Sequence, residues 1–76
     1  MEINEFVKNI AAQFEETDPY QITPSTKFRE LDEWSSLIAL SVIAMVDEEY
    51  DITLKGDDIM KANTVEDLFN IVKSKA

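Results

Sequence analysis

Two adjacent serines, Ser35 and Ser36, stand between Trp34 and the apolar run that opens at Leu37. A hydroxyl at such a junction has two uses. It can cap a helix, by accepting a hydrogen bond from a first-turn N–H that has no carbonyl partner, or it can take part in covalent chemistry. One serine suffices for a cap. For the other, a Ser-His-Asp triad or a Cys-His pair is excluded, because the chain contains no histidine and no cysteine. Covalent chemistry at Ser36 therefore has to be performed by another protein.

The elements that must present these serines are few. A chain of 76 residues forms one domain, and a domain of this size buries only roughly 60% of its unfolded surface. With no cysteine or histidine, neither a disulfide nor a structural zinc site can staple it, so packing alone must hold the core. The 45% hydrophobic fraction makes that feasible. No apolar run approaches the roughly 18 residues of a membrane span and no basic leader opens the chain, so a soluble, cytoplasmic, monomeric domain spanning residues 1–76 is expected.

The net charge of −9 argues against nucleic-acid binding and for partners with basic surfaces. It is also uneven. Residues 30–58 hold nine acids against Lys55 alone, so the acidic block surrounds the double serine. An acidic adaptor without any prosthetic group, or an acidic mimic of nucleic acid, would use this charge and ignore Ser36.

Ile3, Phe6, Val7, Ile10, Ala11 and Phe14 recur at spacings of three and four, which predicts a first helix over about residues 2 to 15. Two prolines and a run of turn residues then predict a long loop from about 16 to 34, pinned by Phe28 and Leu31 and containing a short helical turn or serving a function of its own. A second helix starts at Ser35 or Ser36 and runs to about Tyr50. Its core face collects Ala39, Val42, Ile43, Val46 and Tyr50. The opposite face gathers Ser36, Leu37, Leu40, Ser41, Ala44, Asp47 and Glu48, apolar side chains bounded by acids, which is the pattern of a docking surface. The stretch "DDIMKA" gives a short third helix with Asp57 and Asp58 at its positive end. Asn63 as N-cap with Glu66 three residues on opens a fourth helix over about 64 to 74, with Lys73 and Lys75 at its negative end. "DITLKGDD" is not a calcium loop: Lys55 falls where an oxygen ligand is required and Ala62 where the bidentate glutamate belongs. No other metal site is expected.

Four helices in this order, a long first loop and a serine at the mouth of an acidic second helix resemble an acyl carrier protein. That family carries an Asp-Ser-Leu triplet at the start of helix two, and the matching triplet here is Ser35-Ser36-Leu37. Leu40, Val42, Ile43 and Val46 keep its apolar spacing, "DEEYDI" resembles its acidic helix end and "NTVEDLF" its last helix start. The resemblance implies an all-α four-helix bundle with a long loop between helices one and two and a short third helix. It also implies a 4′-phosphopantetheine arm on Ser36, supplied from coenzyme A by a phosphopantetheinyl transferase, with Ser35 as the cap. The chain is then a carrier and no enzyme, shuttling acyl thioesters between enzymes of fatty-acid, polyketide or related biosynthesis. Leu37, Leu40 and Ala44 form the docking centre, and Asp47, Glu48, Glu33 and Asp32 meet basic partner patches. The sequence departs from the pattern at three places. Ser35 replaces the aspartate, Trp34 a small residue, and Ile38 with Ser41 acids of the docking face, which is therefore less acidic than the resemblance implies.

Overall fold

The computed structural model describes residues 1–76 as an all-helical bundle measuring 29 × 23 × 20 Å. Its helices are α1 (Ile3–Ala11), α2 (Ser36–Tyr50), α3 (Gly56–Lys61) and α4 (Val65–Ser74). Two 3₁₀ turns, Pro19–Gln21 and Phe28–Glu30, lie in the connection between α1 and α2, so the long loop is not structureless.

Helix α1 packs on α4, and α3 bridges α2 to α4. All 17 buried side chains are apolar, so no desolvated polar group taxes the core. The periodic stripe of α1 delivers Phe6 and Ile10 to it. The Phe6 ring meets Phe69 of α4 edge-on at 5.4 Å and lies 5.9 Å from Tyr50 of α2, so one aromatic joins three helices.

Several boundaries differ from the expectation. Helix α1 stops at Ala11, not near residue 15: Gln13 and Phe14 donate to the carbonyls three residues back, and the next three N–H groups donate to a side chain described below. Phe14 is nonetheless buried, from the turn. On α2 the buried residues are Val42, Met45 and Val46, while Ala39, Ile43 and Tyr50 are half-buried at its edges. All three pack against the core, and Met45, i+3 from Val42, is buried beside them. Ile52 and Leu54 are buried too, with Thr53 and Lys55 exposed between them, because the connection from α2 to α3 is extended and alternates its side chains.

The cap of α4 lies one residue later than expected. Thr64, not Asn63, is the N-cap: its hydroxyl accepts from Asp67 N–H at 3.1 Å. The Asp67 carboxylate, not Glu66, accepts in return from the N–H groups of Asn63 and Thr64. Asp67 is the residue three positions after Thr64, and its shorter side chain completes the reciprocal pair. Lys75 does more than face the negative end of α4, since its ammonium pairs with Asp58 at 3.3 Å and ties the C-terminus to α3. The Lys55 N–H beside Asp58, opposed in part by desolvation and aided by Lys75 and Lys61, holds the Asp58 carboxyl below its ordinary range.

The long loop is tied to the far end of the bundle by its backbone and one arginine. Pro24 and Thr26 carbonyls accept from the first-turn N–H groups of α4, at 2.8 and 3.1 Å, donors that no helical carbonyl can reach. The Arg29 guanidinium donates to the carbonyls of Ala62 and Met60 and to the Asn63 side chain. Ile22 and Phe28 are buried beneath these bonds, and Leu31 is half-buried.

Helix α2 ends on Asp51 with φ 56° and ψ 42°, a left-handed conformation that a Cβ disfavours. Aspartate also adds a negative charge at the helix's negative end. Asp51→Gly is expected to raise stability by about 0.5–1 kcal/mol, after the extra freedom glycine has in the unfolded chain is deducted. Thermal melts check this: an increase of several degrees is expected, and an unchanged or lower midpoint refutes it.

Candidate functional site

The N-terminus of α2 is built by three consecutive residues, each fixed by a different interaction. Glu33 comes first. Its carboxylate accepts from the N–H groups of Glu15 (2.6 Å), Glu16 (3.0 Å) and Thr17 (2.8 Å) and from the Thr17 hydroxyl (2.8 Å), all in the turn that leaves α1. Partial desolvation pushes the Glu33 carboxyl up, but the Thr17 hydroxyl and the three backbone donors outweigh it and hold the group below the usual glutamate range. Glu33, one of the acids that the resemblance turns toward basic partners, thus has both oxygens engaged within the chain. Asp32 beside it is exposed.

Trp34 follows, half-buried, its indole 5.2 Å from Phe28 in an edge-on arrangement and 6.4 Å from Phe14. A small residue could not bridge these two rings. Ser35 is the N-cap: extended at φ −158°, ψ 173°, it accepts from the Ile38 N–H through Oγ at 3.3 Å.

Ser36 is the first helical residue, exposed, and its hydroxyl makes no hydrogen bond within the chain. The first-turn N–H groups around it have no helical acceptor and give this end of α2 a partial positive charge. Leu37 and Leu40 follow at 75% and 61% exposure, a large amount of apolar side chain left in water. Ser41, Ala44, Asp47 and Glu48 are exposed and Ile38 is half-buried. Leu40, Ile43, Ala44 and Asp47 form one wall of a shallow groove of about 280 Å³, and Thr53 with Leu54 form the other. Met60 of α3 adds a further exposed apolar side chain, 65% in water. The sequence carries a signal of this, because adjacent Ile59 and Met60 cannot both face the core from a helix of one or two turns, and Ile59 is the buried one.

What this arrangement offers is a free hydroxyl on a rigid helix end beside an apolar, acid-rimmed face, with no base to activate that hydroxyl. A family model described as a phosphopantetheine attachment site matches residues 5–72. The chain is 30% identical over 74 residues to the acyl carrier protein of Thermosynechococcus vestitus, an alignment covering 97% of this chain and 91% of that one. No solved structure matches it. The chain belongs to the phosphopantetheine-attachment family, and within it to the acyl carrier proteins. These are carriers and not catalysts, and their prosthetic group is a covalently attached 4′-phosphopantetheine. The end of α2 is compatible with such a group: it presents an exposed, unengaged hydroxyl, and a helix N-terminus favours a bound anion such as a phosphodiester.

Proposed function

We propose that Ser36 receives the arm, and that the chain is a monomeric cytoplasmic carrier of acyl intermediates in fatty-acid, polyketide or related biosynthesis. The observation that carries the assignment is the division of labour between the two serines: the Ser35 hydroxyl is engaged as the cap, while that of Ser36 is exposed and free. Arm transfer forms a bond from Ser36 Oγ to the pantetheine-side phosphorus of coenzyme A. The pyrophosphate P–O bond breaks, adenosine 3′,5′-bisphosphate leaves, and the hydroxyl proton passes to a base of the phosphopantetheinyl transferase. Once attached, the arm supplies a terminal thiol that holds acyl groups as thioesters.

Leu37, Leu40 and Ala44 serve as the apolar centre of the docking face, and Asp47 with Glu48 as its acidic rim toward basic patches of the transferase and of acyl-handling enzymes. Charge on a rim raises association rates more than it prolongs a complex, which suits a shuttle that must leave each partner.

Coexpression of serine variants with a broad-range transferase, followed by intact mass, tests the acceptor. Ser36→Ala is expected to gain no adduct. Ser35→Ala is expected to be loaded still, at a cost of about 1 kcal/mol in stability for the lost cap. A phosphopantetheine adduct on Ser36→Ala overturns the assignment.

A further inference from the structure

Glu33 lies three residues before Ser36, and nothing in the acceptor chemistry requires it. Its carboxylate is nonetheless the most heavily engaged polar side chain of this end of the molecule, receiving four hydrogen bonds from residues 15–17. A carboxylate has about four lone-pair sites and no donor, so it satisfies this cluster of donors as no neutral side chain can. A glutamine would turn its NH₂ against an N–H, and an aspartate would fall one methylene short.

The contacts on either side converge on one place. Phe14 touches Trp34, and the next three residues after Phe14 hold Glu33. The turn leaving α1 therefore grips the segment approaching α2 at two consecutive residues, and the Ser35 cap completes the alignment. Ser36 is the first position beyond these three restraints. Helix ends fray unless tied down, and a reacting group displaced by about 1 Å can lose on the order of 10²-fold in rate.

We propose that Glu33 is a positioning residue for arm transfer: by clasping the amides of residues 15–17 it fixes the path of the chain into α2 and with it the place of the Ser36 hydroxyl. The inference rests on the reading of Ser36 as acceptor. It competes with a simpler role for Glu33, a negative charge offered to a basic partner, and the two differ in what they require. A docking charge needs only its sign, whereas a clasp needs the length and both oxygens of glutamate.

The test uses the full chain, coenzyme A and a broad-range phosphopantetheinyl transferase, with adduct followed by intact mass well below each variant's melting temperature. Glu33→Gln and Glu33→Asp are both expected to lower kcat about tenfold while KM stays within about twofold. Amide hydrogen exchange at residues 15–17 is expected to quicken in both. Thr17→Val, which removes one donor of the clasp without changing any charge, is expected to lower kcat in the same direction by less, and to add little when combined with Glu33→Gln. A wild-type rate for Glu33→Asp overturns the inference in favour of a docking charge. So does a loss confined to KM that disappears at high salt. Ser36→Ala runs alongside: an adduct there overturns the acceptor assignment and this inference with it, whereas a silent Ser36→Ala beside wild-type kinetics of both Glu33 variants overturns this inference alone.

Discussion

Phe28→Ala is expected to cost about 3–5 kcal/mol of folding stability. That is a large share of what a chain of this length holds at roughly 0.05–0.15 kcal/mol per residue. The ring is 1% exposed and meets Trp34 edge-on, so its removal leaves a cavity and withdraws one of the two aromatic supports of the segment leading to Ser36. The backbone of this turn stays tethered through Arg29 to the Met60 and Ala62 carbonyls at the C-terminal end of α3, which limits how far the site can collapse to fill the void. A fall in the urea midpoint, accompanied by a red shift of Trp34 emission before the main transition, is the expected signature. Tyr20→Ala is the control: that aromatic is 92% exposed, and its loss should stay within about 0.5 kcal/mol. Equal melts for the two variants would show that burial of Phe28 does not support the loop as argued.

Most of the architecture was legible because the helices obey simple periodicity. The stripe from Ile3 to Phe14 and the final "TVEDLF" each declare a helix with one buried side, and the run after Ser36 declares a helix by its length and its serine cap. What periodicity could not give was decided by contacts distant in sequence. Helix α1 ends early because the donors of residues 15–17 find a better acceptor in Glu33, 16 to 18 residues away, and no local pattern marks a glutamate as a cap for someone else's turn. The same contact engages Glu33 within the chain, which its sequence neighbourhood of acids does not foretell. On α2 nearly every residue from Leu37 to Val46 is apolar, so the helix has no clear polar side, and only tertiary packing decides that Met45 goes inward and Leu40 does not. At α4, Asn63-Thr64 and Glu66-Asp67 offer two capping pairs one residue apart, and the structure uses the second.

Leu40 and the acids at the end of α2 provide the sharpest contrast between stability and function. Leu40 is 61% exposed, so Leu40→Ala should leave the melting temperature nearly unchanged, whereas Val42→Ala, two residues on at a position 1% exposed, should cost about 2 kcal/mol. Against a partner enzyme the order reverses: Leu40→Ala is expected to weaken the complex about tenfold, close to 1.4 kcal/mol, mainly through faster dissociation, as loss of an apolar interface anchor does. Asp47 and Glu48 act by the other route. They crowd the negative end of α2, where no basic residue occupies the last turn, and the single ion pair of the molecule, Lys75 with Asp58, does not involve them. Acids so placed cost the helix stability and return nothing within the chain. Reversing both to lysine is therefore expected to raise the melting temperature slightly while slowing association about tenfold or more at low salt and flattening its salt dependence. Stopped-flow association and thermal melts on the same two variants decide the matter. A large fall in melting temperature for Leu40→Ala would place that side chain in the core, and unchanged association for the charge-reversed variant would leave the acids of α2 without a partner to explain them.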